Sequence, residues 1–230
     1  MIERAFLEAR QHKNNKRNTI RQFALDRAMD LLKAAGVVDP ALKRSSCSYK
    51  AQRLAEESLY FIPEGVGVRW PLEIGGKPAD QLEAEAKRVR TLSEYALDMA
   101  HNPKFTTLEK VTPVELIKLP VSALGLPGTP TTRQIFERVP QCRVEDMALV
   151  LCRAEVGLHQ AIKDTAQPLN DYYYIMHEPL ADRDGAPSVF ILERGDDGLW
   201  LRDDWAEPDD RWSPDDQVVF ALRKVKPVKS

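Results

Sequence analysis

The chain has 230 residues, of which 43% are hydrophobic and 30% charged, and its formal net charge is −2. This composition is typical of a globular chain of one large or two small domains, and it excludes fibrous and low-complexity proteins. No run of about 18 apolar residues is present, and the N-terminus is too polar for a signal peptide, so the sequence predicts a cytoplasmic protein without membrane contact. The three widely spaced cysteines favour reduced thiols over a disulfide framework.

Charge is distributed unevenly along the chain. Residues 1–54 carry 12 Lys and Arg against 5 Asp and Glu, whereas residues 181–216 carry 4 Arg against 12 Asp and Glu. A basic end can bind phosphate groups, and an acidic end can bind a basic partner or the chain's own basic end. The alternative interpretation is that both ends are solvated surfaces without a partner.

Residues 1–140 are predicted to be mostly helical. Apolar spacing of 3.6 residues, capping residues and glycine stops predict helices over 3–12, 18–36, 48–60 and 79–100. Strand-like pieces within residues 66–74 predict a local hairpin in this part, between glycine and proline clusters.

Residues 141–230 have a different residue pattern, in which strand-like runs predominate. A helix is predicted over 143–164, and β-branched and aromatic runs separated by Asp, Gly and Pro turns predict strands over 171–177, 188–194, 198–202 and 216–224. The predicted fold class is therefore α+β: a mainly helical N-terminal part, then a small antiparallel sheet covered by a long helix.

Within the first part, residues 112–139 contain two helix starts joined by a Pro/Gly turn. Thr112 can cap a helix with Pro113 at its first position and Glu115 at its third, and Thr129 can cap a second helix that begins at Pro130. Two short helices joined in this way predict a helix-turn-helix.

The string GLPGTPTT at residues 125–132, with the helix starts around it, resembles the DNA-binding domains of Mu-type phage transposases and repressors. The resemblance covers residues 112–139 and implies a non-enzymatic DNA-binding protein of phage or mobile-element type. It implies a recognition helix whose side chains read bases or hold phosphates, namely Thr131, Thr132, Arg133, Gln134 and Arg138. A basic N-terminal stretch would add salt-sensitive affinity for DNA through Lys13, Lys16, Arg17 and Arg21. A helical corner without any role in DNA binding is the alternative.

The acidic C-terminal region predicts a second function. Trp200, Trp205 and Trp212 alternate there with acidic pairs, and aromatic anchors rimmed by charge are typical of protein-binding surfaces. The hypothesis is a protein-interaction module, an inhibitor or a subunit of a nucleoprotein assembly, that binds a basic host protein. Alternatively, the tryptophans cover a small sheet and the aspartates occupy its turns.

Catalytic and metal sites receive less support from the sequence. A metal-dependent nuclease could use carboxylates and a histidine around one strand turn: His177, Glu178, Asp182, Asp184 and Glu193. A metal site could in principle form from Cys142, Cys152, His159 and His177, but these residues lack the short spacing of chelating pairs. Since no catalytic motif is present, the prediction is a protein that is not an enzyme and uses neither metal nor cofactor.

Overall fold

The computed structural model of the chain describes residues 59–225, which form ten strands and four α-helices. The strands are β1 (Tyr60–Phe61), β2 (Val68–Ile74), β3 (Thr91–Leu92), β4 (Thr112–Pro120), β5 (Cys142–Val144), β6 (Met147–Val150), β7 (Tyr172–Ala181), β8 (Pro187–Gly195), β9 (Gly198–Trp205) and β10 (Gln217–Lys224). The helices are α1 (Ala79–Ala86), α2 (Glu94–His101), α3 (Thr132–Arg138) and α4 (Glu155–Lys163). In this part of the chain, no helix has the length and apolar character needed to span a membrane.

All the strands belong to one mixed sheet that branches at β10. One edge of β10 pairs antiparallel with β4, and β4 pairs antiparallel with β2. The other edge is shared, because Val218 and Val219 pair with β7 while residues 221–224 pair with β6. From β7 an antiparallel meander runs through β8 to β9, and the short β3 pairs parallel with β9. From β6 the sheet continues through β5 to β1.

The sheet has a hydrophobic core on each face. Because successive side chains of a strand point to opposite faces, Leu116 of β4 lies in the first core and Ile117 in the second. Three helices, α1, α2 and α4, contribute apolar side chains to the first core. The second core contains Ile135 of α3 and Trp212 from the loop before β10. The central strands are therefore covered on both sides.

The predicted fold class is wrong. The part of residues 1–140 that the structure describes is not mainly helical, because β2 and β4 belong to the large mixed sheet, and this sheet is not small. Residues 112–120 form β4 rather than the first helix of a helix-turn-helix. A strand buried on both faces has a nearly continuous apolar run, and periodicity alone does not distinguish such a run from a buried helix.

Two further helix predictions are also wrong in part. The predicted helix over 143–164 is divided into β5, β6 and α4, with a tight hairpin at Glu145, whose φ of 54° is left-handed. The predicted helix over 79–100 is divided into α1, β3 and α2. Pairing of β6 with β10 and of β3 with β9 decides these segments, and such long-range contacts override local propensity.

Other predictions are confirmed. The four C-terminal strands correspond to β7, β8, β9 and β10, and Asp196 and Asp197 form the predicted turn between β8 and β9. The helix predicted after residue 129 is α3, although Thr131 rather than Thr129 caps it. β2 lies within the predicted strand-like segment, but it pairs with β4 rather than in a local hairpin.

Close contact between α4 and β8 depends on Gly157. A Cβ atom at this position would lie 2.5 Å from Cδ2 of the buried Phe190. We expect Gly157→Ala to lower the free energy of unfolding by about 1–3 kcal/mol, as overpacking of a core does. Combining it with Phe190→Leu in a double-mutant cycle should recover part of the loss, whereas additive losses would contradict this packing.

Candidate interaction surface

Most predicted DNA-contacting residues of α3 have partners within the chain. The Thr131 side chain accepts a hydrogen bond from the Gln134 backbone N–H (3.3 Å), and the Gln134 side chain accepts one from the Thr131 N–H (2.8 Å), which forms a capping box. Arg133 forms an ion pair with Asp209 at 3.0 Å. These side chains stabilise the start of α3 and its contact with the loop that contains Asp209.

The other two residues of this set support the second core. Thr132 is buried, and its hydroxyl accepts a hydrogen bond from Trp212 Nε1 at 2.9 Å. Arg138 donates to the Leu124 carbonyl at 3.0 Å and stacks on the ring of Tyr60. Among the described residues, α3 follows β4 and the 3₁₀ turn Val121–Leu124 rather than another α-helix. The basic stretch with Lys13, Lys16, Arg17 and Arg21 lies outside the described residues.

The structure separates the three C-terminal tryptophans. Trp212 is buried, and its ring packs edge-on against Tyr174 with centroids 4.8 Å apart. Trp200 is half-buried beneath the guanidinium of Arg202, which lies 4.0 Å from its ring. Trp205, at the end of β9, exposes 67% of its surface. The interpretation of the tryptophans as sheet covers therefore holds for Trp212, while Trp205 remains free to contact a partner.

One face of the meander β7–β9 carries exposed and half-exposed aromatic side chains. Tyr172 pairs with Glu193, and Glu193 pairs with Trp200, so the three side chains form one row across the sheet. Tyr174 and Arg202 belong to the next row of the same face. Tyr172 exposes 42% of its surface, and its ring stands perpendicular to that of Tyr174 at 5.9 Å.

Three aspartates border these tyrosines. The Tyr172 hydroxyl donates to Asp216 Oδ1 at 3.4 Å, and desolvation together with the nearby Asp204 carboxylate raises the pKa of Tyr174. Desolvation, together with the nearby charges of Asp204 and Asp215, raises the pKa of the Asp216 carboxyl. Within residues 59–225 no Lys or Arg forms an ion pair with any of the three carboxylates.

We call this surface the acidic aromatic face and define it as Tyr172, Tyr174, Asp204, Asp215 and Asp216. These residues were not predicted as a group from the sequence, because they come from three separate strand ends and turns. One signal was available for the tyrosines. In the run of three tyrosines at 172–174, strand alternation places the middle residue in the core and its two neighbours on the opposite face.

The residues proposed for a nuclease do not assemble into a site. Glu193 lies 3.2 Å from Arg202 Nε, as an ion pair without the alignment of a hydrogen bond, and Asp182 caps a turn through the N–H groups of Asp184 and Ala186. Glu178 is exposed beside a bulge of β7. In the part of the chain that the structure describes, no group of three or more His, Cys, Asp or Glu could hold a metal ion.

His177 fills the bulge of β7 and is 1% exposed. Its Nε2 accepts a hydrogen bond from the Phe190 N–H at 3.2 Å, while Nδ1 lies 2.8 Å from the Glu178 carbonyl oxygen. An acceptor at Nε2 and a carbonyl at Nδ1 require the neutral tautomer that carries its proton on Nδ1. Burial lowers the pKa of His177 to about 4. This histidine therefore replaces a missing strand hydrogen bond.

The four residues considered for a metal site occupy environments of their own. Burial raises the pKa of the Cys142 thiol to about 11 and also raises that of Cys152, which donates to the Val219 carbonyl. Nε2 of His159 accepts the Gly75 N–H at 3.0 Å, and desolvation lowers its pKa. These are properties of core residues rather than of metal ligands.

A buried arginine, which was not predicted from the sequence as a functional residue, links α4 to the meander. Arg90 is 4% exposed and donates hydrogen bonds to the Ala161 carbonyl (3.0 Å), the Gln167 side chain (3.0 Å) and the Trp200 carbonyl (3.1 Å). It also donates to the Asp164 carbonyl. A cation at the end of α4 satisfies carbonyls that lack helical partners. Arg90 thereby fixes β9, and with it the acidic aromatic face, relative to α4.

Comparisons of the chain with protein-family models, with curated proteins and with solved structures gave no match.

Proposed function

We propose that the chain is a protein-interaction module that binds a basic partner through the acidic aromatic face and Trp205. The observation that supports the proposal best is the set of three carboxylates, Asp204, Asp215 and Asp216, next to aromatic rings on an open sheet face. No Lys or Arg of the described residues forms an ion pair with these carboxylates. A cation of a partner would therefore not compete with one of the chain's own for their attraction.

The two kinds of side chain contribute to binding in different ways. Carboxylates attract a basic partner over a distance and raise the rate of association. Aromatic side chains bury a large area for little conformational entropy, and they are frequent among the residues that dominate binding energy. Trp205 directly follows Asp203 and Asp204, so it combines both features at the end of β9. Binding to this face requires a partner with a basic surface, which a nucleic-acid-binding protein of a nucleoprotein assembly has.

A second candidate function, DNA binding, is favoured by the basic N-terminal residues 1–54 rather than by α3. Lys13, Lys16, Arg17 and Arg21 would contact phosphates without reading sequence, and such affinity decreases steeply with salt. A recognition role of Arg133 and Gln134 has less support, since both engage partners that hold α3.

The proposal is tested by replacing Trp205 with alanine and both Asp204 and Asp216 with lysine in one variant. Fluorescence anisotropy would measure binding of labelled protamine, an arginine-rich protein, and of labelled duplex DNA at low and near-physiological salt. We expect protamine binding by the unmodified protein and a loss of about 100-fold or more in the variant, because charge reversal adds repulsion to lost contacts.

The matched control changes charge to the same extent elsewhere. Asp196→Lys with Asp197→Lys alters the exposed turn between β8 and β9 and should reduce protamine binding by much less. Equal losses in the two variants would show non-specific attraction and contradict the proposed surface. Binding of DNA but not of protamine by the unmodified protein would favour the second candidate.

A further inference from the structure

The exposed ring of Tyr172 lies at the centre of the acidic aromatic face. Tyr172 pairs with Glu193 of β8, and its hydroxyl donates to the carboxylate of Asp216, which directly precedes β10. The ring of Tyr174 stands perpendicular to that of Tyr172 with the centroids 5.9 Å apart, and Tyr172 keeps 42% of its surface exposed. The ring is consequently open to a planar group that approaches along the sheet face.

Other side chains of these two rows already show which group packs well on this face. The guanidinium of Arg202 lies 4.0 Å from the Trp200 ring and is paired with the carboxylate of Glu193. Beside Tyr172, three of the chain's own residues thus combine an aromatic ring, a guanidinium and a carboxylate: Trp200, Arg202 and Glu193. Tyr172 and Asp216 provide the aromatic ring and the carboxylate of the same arrangement, and the guanidinium is the component that the described residues do not provide.

We propose that Tyr172, Asp204 and Asp216 form a subsite for one arginine side chain of the basic partner. The inference rests on the proposed function, since it specifies the residue type that the same face recognises. A guanidinium can stack on the Tyr172 ring and donate two parallel hydrogen bonds to a carboxylate. A lysine ammonium is a compact and strongly hydrated charge, so it cannot combine stacking with a two-pronged hydrogen bond.

Both carboxylates can still accept hydrogen bonds. Asp216 accepts one from the Ser213 N–H through Oδ2 and one from Tyr172 through Oδ1, and Asp204 accepts the Trp205 N–H. An ionised carboxylate has about four lone-pair sites, so each of them retains room for an arginine donor. The same internal hydrogen bonds fix the orientation of the carboxylates before a ligand arrives, which lowers the entropy lost on binding.

The test compares two peptides of equal charge, hexa-arginine and hexa-lysine, each acetylated and amidated, by isothermal titration calorimetry at low salt. We expect the full chain to bind hexa-arginine about three- to tenfold more tightly, the factor that one cation–π contact provides. Tyr172→Leu should abolish this preference, whereas Tyr172→Phe should retain most of it. Asp216→Asn should weaken binding of both peptides, and Asp196→Asn, the matched neutralisation in the β8–β9 turn, should not.

Three results would overturn the subsite: equal affinity for the two peptides, an arginine preference that survives Tyr172→Leu, or no binding of either peptide. The proposed function fails separately. If the charge-reversed variant loses protamine binding while the two peptides bind equally, the acidic face binds basic partners but without the arginine subsite. If protamine binding is also unaffected by charge reversal, both the function and the subsite are wrong.

Discussion

Replacing Arg90 by methionine is expected to lower the free energy of unfolding by about 3–5 kcal/mol, as the loss of one partner from a buried charged network does. The substitution leaves the carbonyls of Ala161, Asp164 and Trp200 without a donor in a buried site. Methionine has nearly the volume of arginine's aliphatic part, so the expected loss comes from unsatisfied polar groups rather than from a cavity.

The measurement is urea denaturation followed by tryptophan fluorescence. All four tryptophans, at positions 70, 200, 205 and 212, lie within residues 59–225, so the signal reports on the unit that contains Arg90. Arg90→Lys is the control: it retains the charge but offers fewer and differently directed donors, and it should cost clearly less than methionine. A loss below about 1 kcal/mol for Arg90→Met would show that the network is not required for stability.

The second large effect is a loss of stability on acidification that depends on His177. In the folded chain the pKa of His177 is about 4, below the ordinary value of 6.5, because burial disfavours the charged ring. A group with a lowered folded pKa stabilises the fold fully above its unfolded pKa and loses this contribution as the pH falls. We expect roughly 3 kcal/mol of stability to disappear between pH 7.5 and pH 4 from this residue alone.

Carboxylates also titrate in this range, so the contribution of His177 is the difference between two proteins. His177→Gln retains a side-chain acceptor for the Phe190 N–H but has no titrating ring. Its free energy of unfolding should lie below that of the unmodified protein at pH 7.5, and the gap should close as the pH approaches 4. A gap that stays constant over this pH range would contradict the assigned neutral tautomer and its burial.

The candidate site was predictable from the sequence only in its composition. The acidic pairs and the aromatic residues of the C-terminal region were visible as a pattern, and they favoured a binding surface. Which aromatic residues contribute could not be read from that pattern, because Trp212 fills the second core whereas Trp205 is exposed. The charges were equally ambiguous, since Arg202 neutralises Glu193 while Asp204 and Asp216 have no basic partner in residues 59–225.

The elements that the sequence by itself determined are those specified by local chemistry. The meander β7–β9 and strand β10 were predicted correctly because their turns contain Asp, Gly and Pro and their runs are β-branched or aromatic. The start of α3 was predicted to within two residues, because capping is a contact between residues close in sequence.

Only the tertiary structure decided the remaining elements. Residues 112–120 form a strand because β2 and β10 pair with both of its edges and a core covers each face, and none of these partners is close in sequence. Arg90 is buried for the same kind of reason: its acceptors come from residues about 70 to 110 positions further along the chain. Contacts over such separations depend on the whole fold, and no local pattern of residues encodes them.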